Sequence, residues 1–133
     1  MMRVLIVEDE PLIAISLAAE LKHAGHEVLG PSGDANEALC LLEQQCADLA
    51  LIDVDLHGSM GGVELARALQ ANSETPALLL TSDPAETHAS SDAALGMITM
   101  PFDPADILES IQVAQVLIEG GQPPTPPHSL RLF

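Results

Sequence analysis

Five short apolar runs constrain the fold of this chain more than any other feature. They are Val4–Val7, Val28–Leu29, Leu49–Ile52, Ala77–Leu80 and Met97–Met100. A strand that is buried on both faces has this continuous apolar character, whereas a half-exposed strand alternates apolar and polar residues. Helical segments separate the runs. Strands alternating with helices predict right-handed crossovers and a five-stranded parallel sheet with helices on both faces, an α/β fold.

The segments between the runs carry the expected helix signals. Pro11 suits the first turn of a helix that should end near Gly25. Asp34, followed three residues later by Glu37, predicts the start of a second helix. A helix containing Leu65 follows the third run, and Pro104 opens the last helix, which should end at the glycine pair 120–121. Residues 83–95 contain few large apolar side chains, so a helix there should be short or mobile.

The last residues differ in composition from the rest. Residues 122–133 contain four prolines, a composition typical of extended or disordered segments. We therefore predict one domain over residues 1–121 and a disordered tail over residues 122–133. The apolar end of the tail, 130–133, leaves docking on the domain open as an alternative.

The charge balance excludes several classes of protein. The chain has 20 acidic residues against 4 Lys plus Arg, and a formal net charge of -16. Nucleic acid and anionic membranes would repel such a surface. The apolar runs are too short to span a membrane, and the start lacks the basic region and cleavage site of a signal peptide. These features predict a cytoplasmic protein. Cys40 and Cys46 fit no zinc pattern and are expected to be reduced thiols.

Polar side chains follow the runs at the positions where an open α/β sheet forms its functional site, beyond the carboxyl ends of the strands. These residues are Glu8, Asp9, Asp53 and Thr81. Three converging carboxylates repel one another unless a cation lies among them, and Mg²⁺ prefers oxygen ligands. A carboxylate beside a metal can also act as a nucleophile toward phosphoryl groups. The simpler alternative is that these acids only cap local structure, as Asp9 could for the helix at Pro11.

The order of these motifs resembles that of the response-regulator receiver family. The motifs are VLIVEDE, LIDVDL with a glycine-rich loop and GVEL, LLLTSD and MPFDP. The resemblance covers residues 3 to about 119. It implies the flavodoxin-like form of the α/β fold and a role in two-component signalling.

Roles follow from the resemblance, residue by residue. It implies that Asp53 is the phosphoacceptor and that Glu8 and Asp9 help to hold Mg²⁺. The backbone carbonyl of Asp55 would be a further metal ligand. Thr81 would contact the phosphoryl group through its hydroxyl.

The sequence also departs from the family pattern. Met100 stands where family members usually have a lysine that binds the phosphoryl group, and Lys22 is the only lysine in the chain. Met97 replaces the usual switch aromatic, and His57 replaces a proline. Without its fixed cation, the site should depend more heavily on Mg²⁺.

We therefore expect a single-domain response regulator, not an enzyme, that accepts a phosphoryl group on Asp53. The donor would be a histidine kinase or phosphotransfer protein in a phosphorelay, and the signal would pass by protein–protein binding. Neither nucleic acid nor a membrane is expected as a partner, and a homodimer is left open. The chief alternative is a pseudo-receiver, a docking or dimerisation module that works without phosphorylation. A phosphatase-like hydrolase with Asp55 as general acid/base is a minor alternative.

Overall fold

The computed structural model describes residues 1–58, 60–83 and 92–133, which contain six strands and four helices. In chain order these are β1 Arg3–Val7, α1 Pro11–His23, β2 Glu27–Ser32, α2 Ala35–Gln44, β3 Leu49–Asp53, α3 Gly62–Ser73, β4 Ala77–Thr81, β5 Gly96–Thr99, α4 Pro104–Ile118 and β6 Leu130–Leu132. The short or mobile helix predicted within residues 83–95 falls largely on residues 84–91, which lie outside the described residues.

The strands form one sheet in the order β2-β1-β3-β4-β5-β6. Strands β1 to β5 are parallel, with Val7 opposite Ile52 and Thr81 opposite Thr99. The predicted α/β fold is therefore confirmed. The predicted number of strands is wrong by one, because β6 adds an antiparallel edge strand next to β5.

Two apolar cores lie on the two faces of the sheet. On one face, α1 and α4 bury Leu21 and Ile111 against alternate residues of the strands, such as Ile6. On the other face, α2 and α3 bury Ala38 and Leu65 against the intervening strand residues. Successive residues of a strand point to opposite faces, so only strands that are apolar throughout can serve both cores.

The predicted helix signals lie at the helix ends. Pro11 is the first residue of α1, and Gly25 beyond its end has a φ of 95°. The Asp34 carboxylate accepts hydrogen bonds from the N–H groups of Asn36 and Glu37, as an N-cap does. Gly120, with a φ of 82°, follows α4. No helix among the described residues is long and apolar enough to cross a membrane.

Two local predictions need correction. The fifth run forms a strand over Gly96–Thr99 rather than Met97–Met100. The N–H of Met100 still donates to Thr81 O, but Pro101 has no N–H with which to continue the ladder. The tail was expected to be disordered, but residues 130–132 form β6 and Leu130 is buried. The apolar side chain gains free energy by leaving water, and the β5 edge offers it backbone hydrogen bonds. The division at residue 121 stays a proposal.

Candidate functional site

Three carboxylates meet at the carboxyl end of the sheet. Glu8 and Asp9 directly follow β1, and Asp53 is the last residue of β3. Because β1 and β3 are adjacent and parallel, their ends lie side by side. One ligand oxygen of each carboxylate lies within 4.8 Å of the others. The structure therefore brings these three predicted residues together, and theirs is the one such acidic cluster within residues 1–58, 60–83 and 92–133.

Burial makes this cluster electrostatically unfavourable by itself. The Glu8 and Asp53 side chains belong to residues that are only 3% and 5% exposed. Burial raises the pKa of Glu8 to about 7; the N–H of Glu10, which donates to Glu8 Oε1 at 3.1 Å, opposes the rise, and the charge of Asp53 adds to it. Burial also raises the pKa of Asp53, against the hydrogen bond from the N–H of Asp55. Two buried acids without a cation therefore resist full ionisation.

One oxygen of this cluster is left without a hydrogen bond. With Glu8 and Asp53 both ionised, Glu8 Oε2 is buried and has no hydrogen-bond donor among the described residues. A buried acceptor without a donor costs free energy, and a carboxylate oxygen costs more than a neutral one. A hard divalent cation fits this arrangement, because it would contact the orphaned oxygen and offset the charges of all three carboxylates.

Asp9 has a partner that the sequence analysis missed. The imidazole Nδ1 of His57 contacts Asp9 Oδ2, and the N–H of His57 donates to the same oxygen at 3.2 Å. Burial opposes ionisation of Asp9, but the bonds from His57 outweigh it and lower the Asp9 pKa. The same contact raises the pKa of the exposed His57 imidazole. The alternative role of Asp9 as a helix cap is wrong, since Glu10 holds the N-cap position of α1.

The backbone holds Asp53 in place from several sides. The N–H of Asp55 donates to Asp53 Oδ1 at 3.0 Å, and the N–H of Val54 donates to Leu80 O at 2.9 Å. The first residue of α3, Gly62, packs against the same backbone, where a Cβ would lie 2.1 Å from Asp53 O. The sequence analysis predicted only a glycine-rich loop here. The loop from Asp53 to Gly62 is thus fixed at both ends.

Thr81 and Met100 lie at the ends of the next two strands. Thr81 is fully buried, and its hydroxyl donates to Asp83 O and accepts from the N–H of Asp83, both at 3.0 Å. Met100 follows β5, and its N–H donates to Thr81 O at 2.7 Å. The Met100 side chain is partly buried and packs against the core between α1, α4 and the sheet. Met97 is buried in the opposite core.

The four Lys and Arg side chains either form ion pairs elsewhere or lie away from these strand ends. Arg3 donates to Glu27 Oε2, at the other end of β1, and Arg67 donates to Asp92. Lys22 is in the last turn of α1, and Arg131 is exposed on β6. Cys40 and Cys46 are both free thiols, as predicted.

An apolar groove lies between the first turns of α1 and the loop that follows β5, and it has a volume of about 560 Å³. Leu12, which is 77% exposed, Met100 and Phe102 are among its lining residues. Ile15, one turn of α1 further on, is also largely exposed. A sequence search for buried apolar runs could not identify this groove, because its residues come from two distant segments.

Comparison with known proteins identifies the class. The response regulator receiver domain family matches residues 4–112, nearly the whole sheet and its helices. The chain therefore belongs to the response-regulator receiver domain family, whose members are signalling domains of two-component systems. Receiver domains bind Mg²⁺ at an acidic pocket, and this chain has an acidic cluster at the carboxyl end of its sheet.

Individual relatives agree with this assignment. The transcriptional regulatory protein PdtaR of Mycobacterium tuberculosis is 34% identical over 84% of this chain and 56% of its own length. The chain spans about half the length of the curated relatives it matches. A CheY-like receiver domain from Methanospirillum hungatei superposes with a TM-score of 0.80 at 30% identity, covering 90% of this chain and 98% of that one. The regulator TrrA from Thermotoga maritima, solved in complex with Mg(2+)-BeF, gives a TM-score of 0.72 at 28% identity, over 84% of this chain and 96% of that one.

Proposed function

We propose that this chain accepts a phosphoryl group on Asp53 from a histidine kinase or phosphotransfer protein, with Mg²⁺, and signals by binding another protein. The observation that carries the proposal is the position of the Asp53 carboxylate: it is buried at the end of β3, within 4.8 Å of the ligand oxygens of Glu8 and Asp9. A carboxylate in this position would bind a metal and accept a phosphoryl group at the carboxyl end of the sheet. A cytoplasmic location, where such donors act, is part of the same proposal.

The metal site would be built from residues of two strand ends. Glu8, Asp9 and Asp53 would supply carboxylate oxygens, and the backbone carbonyl of Asp55 a further ligand. When bound, Mg²⁺ would supply positive charge for the phosphoryl oxygens as they transfer. Glu8 must lose its proton to serve as a ligand, and Asp9 must leave His57.

Phosphoryl transfer would use Asp53 as the nucleophile. An ionised Asp53 oxygen forms a bond to phosphorus, while the bond between phosphorus and the donor's histidine nitrogen breaks. The electron pair stays on that nitrogen, which takes up a proton. Thr81 would exchange its hydrogen bond to Asp83 O for one to a phosphoryl oxygen. Burial raises the pKa of Asp53, so a cation in the cluster would favour the ionised form that acts as the nucleophile.

The apolar groove gives the donor protein a place to dock. Leu12 and Ile15 expose large apolar side chains on α1, next to the carboxylate cluster that follows β1. Exposed apolar surface beside a reactive group is typical of a protein-binding site. A helical donor with an apolar stripe around its histidine would cover Leu12 and Ile15 while presenting the phosphoryl group to Asp53.

Met100 is the main argument for the alternative function. We place it at the position where the family usually has a lysine, and it lines the apolar groove instead of supplying a charge. A pseudo-receiver that docks without phosphorylation would keep such a surface and lose the chemistry. The complete carboxylate set, its orphaned Glu8 oxygen and Thr81 favour phosphorylation, because a docking module has no need for a costly buried acidic cluster. Catalytic turnover of small phosphorylated molecules would instead favour the hydrolase.

The direct test is intact mass after incubation with Mg²⁺ and a small phosphodonor. We expect a gain of one phosphoryl group in the wild type and none in Asp53→Asn. Asp48→Asn is the matched control, since Asp48 is exposed and precedes β3 at the opposite end of the strand, so the change should leave acceptance intact. Absence of the gain in folded protein with a small donor and also with a set of histidine kinases would support the pseudo-receiver.

A further inference from the structure

The last strand, β6, forms one edge of the sheet. β6 pairs antiparallel with β5, with Leu130 opposite Ile98 and Leu132 opposite Gly96. The N–H of Thr99 donates to Ser129 O at 2.9 Å, and the N–H of Phe133 donates to Leu95 O at 3.0 Å. β6 thus supplies backbone partners to the edge of β5 that faces away from β4.

The edge of β5 is shaped for this strand. A Cβ on Gly96 would lie 2.6 Å from Arg131 O and 3.2 Å from the Cα of Leu132. Gly96 has an ordinary backbone conformation, so the missing side chain serves close approach rather than a special turn. Any other residue at position 96 would push β6 away from β5.

Two leucines anchor the strand, Leu130 as a buried side chain and Leu132 as a partly buried one. Leu130 is 6% exposed and packs into the core that contains Ile107 and Ile111 of α4. Ser129 adds a hydrogen bond from its hydroxyl to Asp106 Oδ2 at 2.9 Å. Arg131 and Phe133 are exposed. Full burial of one leucine contributes about 1.5–3 kcal/mol and the partial burial of Leu132 contributes less, so a three-residue strand held this way can detach without unfolding the sheet.

The connection to α4 allows the strand to reach beyond its own domain. Residues 119–129 link α4 to β6, contain four prolines and form no strand or helix. A proline-rich segment is stiff and extended, at about 3.1 Å per residue. In the structure the linker returns the strand to the β5 edge of its own domain, and the same stiff segment allows the strand to reach the β5 edge of a second molecule.

We propose that β6 is an exchangeable strand, and that the β5 edge accepts Leu130–Leu132 from a second copy of this chain. We choose a second copy as the source of the strand because the close approach at Gly96 and the part of the core that holds Leu130 both fit this segment. A strand from a second copy would repeat every contact that β6 makes with its own domain. The net charge of -16 opposes association, so exchange should need moderate salt to screen the repulsion. This inference is independent of phosphorylation on Asp53.

The test uses two full-length variants with complementary defects. Leu130→Asp places a charge in the anchor pocket, which expels its own strand and leaves its β5 edge open. In Gly96→Ala, the added Cβ blocks the β5 edge, so the intact tail is released from its own domain. Isotope-labelled Leu130→Asp is mixed with unlabelled Gly96→Ala in about 0.3 M salt. We expect the amide resonances of residues 95–99 in labelled Leu130→Asp to shift with the amount of Gly96→Ala added until the shift saturates. The mixture should also contain a species of twice the monomer mass.

The control replaces the unlabelled partner with unlabelled Leu130→Asp, whose tail is defective, and there the resonances should not move. Arg131→Ser combined with Gly96→Ala should still donate its tail, because Arg131 is exposed. The proposal is overturned if the resonances of residues 95–99 do not respond, or respond equally to the defective tail. If Gly96→Ala does not fold, a synthetic peptide of residues 122–133 takes its place as the donor, with the same two outcomes.

Discussion

Gly62 touches the backbone of Asp53 so closely that a Cβ on residue 62 would lie 2.1 Å from Asp53 O and 2.8 Å from the Cα of Val54. No side chain fits between the first turn of α3 and the end of β3. The contact sets the position of the loop that carries Asp55 and His57. A glycine that the sequence analysis assigned to a glycine-rich loop is therefore a packing requirement of the acidic cluster.

Substitution of Gly62 by alanine should destabilise the protein. The clash is with backbone atoms, which can be relieved only by moving α3 or the end of β3, so we expect a loss of about 1–3 kcal/mol or more in the free energy of unfolding. Urea denaturation measures it. Gly61→Ser is the matched control, because the nearest atom to a Cβ there is Glu64 Oε1 at 3.9 Å. An effect of equal size for both variants would show that the tight contact has no energetic weight.

Stability without metal should depend on pH through Glu8. Its pKa in the folded protein is about 7, above its ordinary value of 4.5, so the folded state binds a proton more tightly than the unfolded state does. The contribution of Glu8 is therefore most favourable below pH 4.5 and is lost as the pH rises toward 7. The buried Asp53, whose pKa is also raised, changes stability in the same direction.

Urea denaturation in a chelator from pH 5 to pH 8 tests this dependence on pH. Glu8→Gln should flatten the curve, because the amide does not titrate. Repulsion among the many acids also lowers stability at high pH, so the difference between the two proteins is the informative quantity. Glu10→Gln, at an exposed neighbouring acid, should leave the slope unchanged. A slope in Glu8→Gln as steep as in the wild type would contradict the assignment.

Removal of the His57 imidazole should strengthen Mg²⁺ binding. His57 contacts Asp9 Oδ2, and its raised pKa keeps a positive charge beside the cluster at mildly acidic pH. Mg²⁺ must displace this charge. We expect His57→Ala to increase Mg²⁺ affinity by a few fold at pH 6 and by less at pH 8, where the imidazole is closer to neutral.

The measurement is the increase in thermal midpoint as Mg²⁺ is added, which reports affinity through the stabilisation of the folded state. His23→Ala is the control, since His23 is exposed in the last turn of α1. Weaker Mg²⁺ binding in His57→Ala would mean that the imidazole supports the site instead of competing with the metal.

A lysine in place of Met100 should increase phosphorylation. The loop after β5 carries Met100 beside the end of β4, where a flexible ammonium could approach the carboxylates and the incoming phosphoryl group. One added charge in such a partly screened site is worth about 1–4 kcal/mol, so we expect the rate of phosphoryl gain to increase on the order of tenfold. The variant should also need less Mg²⁺.

The rate of mass gain from a small phosphodonor checks this prediction at several Mg²⁺ concentrations. Ile118→Lys is the charge-matched control, because Ile118 is exposed at the far end of α4 and adds the same charge away from the cluster. Equal acceleration in both variants would assign the effect to net charge alone.

Much of the site could be predicted from the sequence, because its residues lie at or directly after the ends of strands. Apolar runs that end at Val7, Ile52 and Leu80 predict where β1, β3 and β4 stop, and parallel strands place all their carboxyl ends at one edge. The positions of Glu8, Asp9, Asp53 and Thr81 need no further information. The roles of these residues, and the replacement of a lysine by Met100, stay predictions.

Other features depend on contacts between distant segments. The His57–Asp9 contact joins two loops that lie 48 residues apart, and no local pattern predicts it. The apolar end of the tail left docking open, but no local pattern predicts that it adds a strand to β5, because three residues beyond a proline-rich linker are too few for a periodic pattern.

The sequence by itself determined the α/β sheet, its two apolar cores and the edge that carries the acidic cluster, because hydrophobic burial acts on patterns within each segment. Only the tertiary structure decided which glycine supports Asp53, which side chain meets Asp9, and that the tail adds a strand to β5. Those features depend on close approach and hydrogen bonding between segments, which exist only after the chain has folded.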